Sequence, residues 1–400
     1  MTRLTYQELE QVKKKHHVSR LWSWSRMSCF TTSPYEYYLK YILHKKEDRR
    51  DSIYATVGGI CHQIIEDLYS GKIKYEDMPE AFDDAWLTCY EVSNLKFDRN
   101  DEEKNEKLAQ KYTDNLGHFF SNHRMLSGSV ALEKFLLTKV GSQLFNGYAD
   151  AVTKDSDGNF VIIDWKTSSI YKGKTLENNS GQLTIYAMAL MQAGVPMEKV
   201  KAAFNFLKYV TITYQQKNGA VKTRDVERCK IGESLQTNAR MWLKDAGYSD
   251  EEADEYLKML LDANDINVLP EEVCDKYEIY DCYVYIPLSQ ELIDKWRTYI
   301  TSTLADIMAR EKDYEETKNE KIWWDDEESV KRESYYFSNL CGYSANLHKP
   351  YQRYLESLEN SANGLDMFAN VGSQAPESTR NNDTGTKADD IDLSWLDDIL

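Results

Sequence analysis

Three side chains, Asp150, Asp164 and Lys166, stand where two strand-like runs meet. The stretch NFVIIDWKTSS, residues 159–169, begins apolar and ends charged. Alternate side chains of a strand share a face, so Ile162, Asp164 and Lys166 point one way and Val161, Ile163 and Trp165 the other. Within KDSDGN, the pair Asp157-Gly158 is a strong turn signal. A hairpin centred on Asp157 sets Asp150 opposite Asp164, and Tyr148 opposite Lys166. Opposed carboxylates cost a sheet about 0.2–1 kcal/mol, a cost that a cation between them removes. A hard divalent ion takes such oxygen ligands and keeps waters for hydrolysis. The competing reading is a bulged register with both acids in solvent and a plain surface ion pair.

Two further pairs lie at helical spacing. His62 and Glu66 share a face of TVGGICHQIIEDLYSG, where Ile60, Ile64, Ile65 and Leu68 give the apolar stripe and Gly71 the stop. Gln182 and Tyr186 share a face of NSGQLTIYAMALMQAGVP, capped by Asn179 or Ser180 and closed by Gly194 and Pro196. Alone, each pair reads as ordinary helix surface or core. Acid-x-Lys by itself is also weak, because Glu102–Lys104 and Glu316–Lys318 match it on solvated helices. The apolar strand before Asp164 and the acid opposite it set Asp164-Trp165-Lys166 apart.

The elements that must position these groups follow from the periodicity. Strand-like runs cover about 134–154 and 160–166, and two more surround Asn218-Gly219. Helical, acidic material fills 232–265, an expected insertion. YEIYDCYVYIPLS reads as a strand, and QELIDKWRTYITSTLADIMAREK as a long helix. With 400 residues, 42% apolar and 12% aromatic, the chain can bury one large core or two smaller ones. No apolar run approaches the roughly 20 residues of a membrane span, and no signal peptide is read. Seven scattered cysteines without a C-x-x-C pair argue against a disulfide framework and for a reducing, cytoplasmic compartment.

The net charge is −17, but unevenly spread. Residues 1–75 carry 13 Lys/Arg against 8 Asp/Glu, and residues 356–400 carry 10 acids against 2 bases. A basic beginning and an acidic end leave a nucleic-acid partner open.

The order of the pieces is more specific than any one of them: a helix with His62/Glu66, a strand with GYAD, a strand with IIDWK, then a helix with GQLTIY. This order resembles the PD-(D/E)XK nuclease superfamily, in its RecB-type branch that includes CRISPR-adaptation exonucleases, over about Trp22 to Leu207 and as far as His348. The resemblance implies an α/β fold, a restriction-endonuclease-like core with a central mixed sheet flanked by helices. Its nuclease domain would span 1–355, with the core at about 55–210, the insertion at 232–265 and a closing strand and helix at 278–348. Residues 356–400 would form a disordered acidic tail. The resemblance also implies a Mg²⁺- or Mn²⁺-dependent DNA nuclease, an exonuclease of recombination, repair or phage DNA processing. Asp150, Asp164 and His62 would be metal ligands, with a backbone carbonyl of Ile163 or Trp165. Lys166 would orient the attacking water and stabilise phosphorane-like charge, Gln182 and Tyr186 would steer the DNA backbone, and Glu66 would support the site. The alternative is a catalytically silent nuclease-fold protein that binds DNA or recruits partners through its tail.

The chain departs from that branch at its iron–sulfur cysteines. Ser33 stands before Pro34 where the first cysteine belongs; Cys341 fits another, and Ser344 stands where a further one is expected. No iron–sulfur cluster is therefore expected, and Tyr335, Tyr336, Phe337 and Tyr343 would replace the clamp by packing. The aromatics of LWSWSRM and SPYEYYLKY could stack single-stranded bases or simply pack. No phosphate-binding P-loop occurs, so the chain is not itself a helicase. In the tail, GLDMF with Leu365 and Phe368 resembles a sliding-clamp docking peptide, and DDIDLSWLDDIL with Trp395 and Leu396 an acidic-hydrophobic docking segment.

Overall fold

The computed structural model describes residues 3–369 apart from residue 127, with side chains as far as residue 360. The chain opens with α1 (Tyr6–Lys15), α2 (Trp24–Thr32) and α3 (Pro34–Tyr37), followed by the long α4 (Ile53–Tyr69), α5 (Met78–Trp86) and α6 (Glu102–Asn122). Three strands come next: β1 (Ala131–Val140), β2 (Gln143–Lys154) and β3 (Phe160–Lys166). The short α7 (Lys174–Asn179) and α8 (Gly181–Gln192) lead back to β4 (Val200–Gln215) and β5 (Val221–Glu227). Then come α9 (Ile231–Asp245), α10 (Asp250–Ala263), α11 (Glu271–Cys274), β6 (Tyr277–Tyr285), α12 (Gln290–Thr317), α13 (Glu327–Arg332) and α14 (Lys349–Ala369).

The six strands form one mixed sheet in the order β1-β2-β3-β4-β5, with β6 also paired to β4. Only β3 and β4 run parallel, and the crossover between them carries α8. Such a crossover fits β3's composition, because a strand covered on both faces reads as a continuous apolar run. Residues 161–166 are all buried. The core is one large cluster around the sheet, and a second, smaller cluster joins α9 and α10 to Val210, Ile212 and Tyr277. The insertion expected at 232–265 is thus a helical pair with its own apolar centre.

Two expectations change. The run 134–154 is two strands, because the chain reverses at Gly141, whose φ of +58° suits glycine. The tail does not begin at 356: α14 continues to Ala369, and Tyr351, Tyr354 and Leu355 pack on the main core. Tyr351, Tyr354, Leu355 and Leu358 repeat at helical spacing, which outweighs the polar composition around them. Leu365 and Phe368 lie on the helical backbone of α14, while Trp395 and Leu396 lie outside the described residues. Among the described residues no helix is long and apolar enough to cross a membrane.

Candidate active site

β2 and β3 pair antiparallel from Lys154–Phe160 to Ala151–Ile163, the register of a hairpin centred on Asp157. Gly158, with φ of +76°, makes the turn, and Asp155 anchors it by accepting from the N–H groups of Asp157 and Asn159. One step beyond the last pair stand Asp150 and Asp164. Backbone pairing stops there, and the Trp165 N–H donates to Asp150 Oδ2 at 2.9 Å. The strands then part: Lys166 pairs with Phe206 of β4, and Tyr148 with Phe135 of β1. Tyr148 and Lys166 are therefore not cross-strand partners.

Asp164 and Lys166 form an ion pair of 3.0 Å between side chains only 6% and 3% exposed. That excludes the surface ion pair. The shielded Asp164 Oδ2 thus has a cation beside it but no hydrogen-bond partner among the described residues.

α4 delivers His62 to the same point. Its Nε2 lies 2.8 Å from the carbonyl oxygen of Trp165, and its Nδ1 3.6 Å from Asp150 Oδ1. Farther along α4, Tyr69 stacks on Trp165 with centroids 6.5 Å apart, holding helix against strand. Of the two carbonyls considered from sequence, Trp165's is the one that meets His62. Burial pushes the Asp150 carboxyl up to about 7, with His62 pulling it down and Asp164 adding to the rise. Burial opposes the charge on His62, but Asp150 and the Trp165 carbonyl outweigh it and raise its pKa.

α8 supplies Gln182 and Tyr186. Gln182 Nε2 donates to the Tyr186 hydroxyl at 3.1 Å, and Gln182 Oε1 is shielded with no hydrogen-bond partner among the described residues. Tyr186 reaches β2 because residue 147 is glycine: a Cβ there would fall 2.5 Å from the ring and 2.7 Å from its hydroxyl. Burial raises the Tyr186 phenol, and both Asp164 and Asp150 push the same way. Ser180 stands at the expected N-cap position but makes no side-chain cap: its Oγ donates to the Glu177 carbonyl at 2.7 Å and accepts from Trp296 Nε1 at 2.9 Å.

Glu66 lies at the rim, its pKa raised by burial and by a neighbouring carboxylate, Glu133. Glu133 was missed from sequence. Leu132 pairs with Ala151 and Lys134 with Ala149, which leaves Glu133 across from Asp150 on β1. Its φ of +44° is a backbone conformation that side chains seldom adopt. A hairpin centred on Gly141-Ser142 would have shown this pairing, had the long run been divided there.

The sequence profile of the PD-(D/E)XK nuclease superfamily matches residues 21–343. The chain belongs to the PD-(D/E)XK nuclease superfamily. A search of curated protein sequences finds no significant match. Among solved structures, "Crystal structure of SSO0001" is similar over 48% of this chain and 75% of that one, at 16% identity and a TM-score of 0.15. In this PD-(D/E)XK nuclease the donors at the strand ends are two carboxylates, an imidazole and the Trp165 carbonyl. Among the described residues no three His, Cys, Asp or Glu side chains stand in a ready metal-holding arrangement. Asp164 pairs with Lys166, and His62 with a carbonyl. The chemistry of the set nevertheless fits a hard divalent ion: oxygen donors predominate, and Asp164 Oδ2 is buried without a hydrogen-bond partner among the described residues.

Ser33 and Cys341, two of the positions compared with iron–sulfur cysteines in the sequence, lie in a polar seam. Ser33 Oγ donates to Asp325 Oδ2 at 2.9 Å and lies 3.0 Å from His348 Nε2. Cys341 Sγ lies 3.7 Å from Glu36 Oε2, which also accepts from the Tyr336 hydroxyl. All these residues are buried, so α3 is tied to the last elements of the chain.

Proposed function

We propose that this superfamily member is a divalent-metal-dependent deoxyribonuclease, acting as an exonuclease in DNA recombination, repair or phage DNA processing. One observation carries the reading: Asp150, Asp164, Lys166 and His62 meet, mostly buried, at the ends of β2 and β3. Burying two carboxylates, an ammonium and an imidazole at one point is costly, and such clusters concentrate where chemistry is done. Asp150, Asp164, His62 and the Trp165 carbonyl would hold Mg²⁺ or Mn²⁺. Such an ion makes a bound water acidic and offsets phosphate charge.

The chain's own groups do the rest. Lys166, only 3% exposed, would bring its ammonium to the phosphoryl oxygens, where a charge shielded from water counts for more as negative charge builds. Asp164 holds that ammonium in place. Gln182 Nε2 donates to the Tyr186 hydroxyl, which leaves that hydroxyl's own proton to donate to a phosphate oxygen of the DNA backbone. Glu66 adds a carboxylate at the rim. No iron–sulfur cluster is proposed, because Ser33 and Ser344 replace thiolates, and DNA is the proposed partner.

The test is cleavage of end-labelled linear and circular DNA, with Mn²⁺, Mg²⁺ or chelator. Linear DNA shortened from its ends with metal, circles left intact, and no cleavage by Asp164→Ala or Lys166→Ala are expected. Wild-type protein that leaves every DNA intact with Mn²⁺ refutes the nuclease reading and favours a silent DNA-binding role.

A further inference from the structure

The segment before α1 crosses the mouth of the site. The Leu4 N–H donates to the Tyr148 hydroxyl at 2.9 Å. Arg3 lies beside it with its Nε donating to Glu133 Oε2 at 2.6 Å. Its guanidinium sits over the Tyr148 ring, 5.2 Å from the centroid. Tyr148 is two residues before Asp150 on β2, and Glu133 is across from Asp150 on β1. Arg3 is thus fixed one strand spacing from a proposed catalytic carboxylate, and the charges of Glu66 and Asp150 both act on it.

How Arg3 is held matters more than that it is held. Glu133, only 5% exposed, takes the Nε edge of the fork, and Tyr148 takes one face. The two terminal nitrogens make no hydrogen bond among the described residues, and the side chain is 63% exposed. A guanidinium with its inner edge anchored and its outer edge open suits two parallel hydrogen bonds to a phosphate. A role as a mere fold fastener is weak, since an ion pair this open to water contributes little.

We infer that Arg3 is a substrate-positioning residue that grips a DNA phosphate next to the scissile one, with Glu133 and Tyr148 aiming its terminal nitrogens outward. The inference rests on the deoxyribonuclease reading and adds to it a contact outside the metal and lysine groups. It also explains why a buried carboxylate sits on a strained backbone at the rim: Glu133 faces inward to aim an arginine.

The test compares wild type, Arg3→Ala and Arg3→Lys in the full chain. Arg3→Ala is expected to lower kcat/KM roughly tenfold to a hundredfold, the size of a charge-assisted hydrogen bond, mainly through KM. Arg3→Lys should recover only part of this, because an ammonium lacks the planar fork. The melting temperature should not change. One methylphosphonate linkage, moved step by step around the cut site, removes one phosphate charge at a time. At one position it should slow the wild type and leave Arg3→Ala no slower than it already is. Unchanged or faster cleavage by Arg3→Ala overturns the inference, as does an equal methylphosphonate penalty in both proteins at every position. If the wild type cuts no DNA, the nuclease reading falls separately. Binding of the same DNA in chelator then decides: Arg3→Ala should weaken it and reduce the salt dependence by about one ion, and unchanged binding overturns the inference.

Discussion

Replacing Lys166 with methionine keeps the stem and removes the charge. Asp164 then keeps a carboxylate inside the protein without the cation 3.0 Å away, and neither side chain is open to water. Removing one partner of a buried ion pair costs about 3–5 kcal/mol, a large share of the roughly 5–15 kcal/mol that holds a domain folded. Asp164→Asn in the same background removes the stranded charge. The double variant Asp164→Asn/Lys166→Met should return to within about 1.5 kcal/mol of wild type, as volume-conserving core replacements do. The coupling between the sites should therefore exceed about 2 kcal/mol. Urea unfolding of the four proteins in chelator measures it directly. Effects that add within about 0.5 kcal/mol, the behaviour of independent sites, would refute the reasoning and mean that Asp164 carries no uncompensated charge. Mn²⁺ should stabilise Lys166→Met more than wild type, since a cation beside Asp164 can stand in for the ammonium.

Gly147→Ala places a methyl group 2.5 Å from the Tyr186 ring, and should cost about 1–3 kcal/mol and reduce cleavage by displacing that side chain, as urea unfolding and a cleavage assay would show. Gly181→Ala drives a methyl group into Trp24 and Trp296, so it should lower both the melting temperature and cleavage. Acid stability should report the polar seam: burial raises Asp325 to about 7 and lowers His348 to about 3. The folded state holds more protons on Asp325 between about pH 4 and 7, so that stability falls as pH rises; it holds fewer on His348 between about 3 and 6.5, so that stability rises. Asp325→Asn removes the falling contribution, and its unfolding free energy should climb more steeply with pH across that window than wild type's. Mn²⁺ at a hundred times its dissociation constant should stabilise wild type by about 2.7 kcal/mol and Asp150→Asn by much less, measured by thermal unfolding.

The hairpin was legible because its turn announces itself: Asp157-Gly158 fixes the register, and the register places Asp150 against Asp164. α8 was legible at both ends, from Ser180 at its N-cap position and from its closing Gly194 and Pro196, but the bond made by Ser180 was not, because its hydroxyl answers to Trp296, a residue far along the chain. Burial of Asp164 and Lys166 was also hidden. The apolar run Phe160–Ile163 marks the start of β3 as covered on both faces, but its charged end reads equally as a surface ion pair until the packed structure shows residues 161–166 all buried. Glu133 fell just before a strand run, 134–154, that was read as unbroken, and Arg3 sits in a stretch with no pattern to single it out. In each missed case the partner lies more than a hundred residues away or across an unmarked turn, beyond what local periodicity can report.

That distance dependence bears on how the site is positioned. Its proposed side chains from 62 to 186 occupy less than the span of the superfamily match, 21–343. Trp22 exchanges two backbone hydrogen bonds of 2.8 Å with Leu144 and Asn146, clipping β2 just before Asp150. Two residues later Trp24 meets Trp296 of α12 edge to face, 5.4 Å between centroids, and both rings close on Gly181, one residue before Gln182. Arg20 grips Glu311 of α12 with a guanidinium nitrogen 2.8 and 2.9 Å from its two oxygens. Residues 20–24 therefore hold the strand bearing Asp150, the helix bearing Gln182 and Tyr186, and α12 at once. A fragment cut at about 55–210 would keep nearly every proposed catalytic group and lose what aims them. The spacing between Asp150 and Tyr186 is thus supported from outside that core, by Trp22 and Trp24 before it and Trp296 after it.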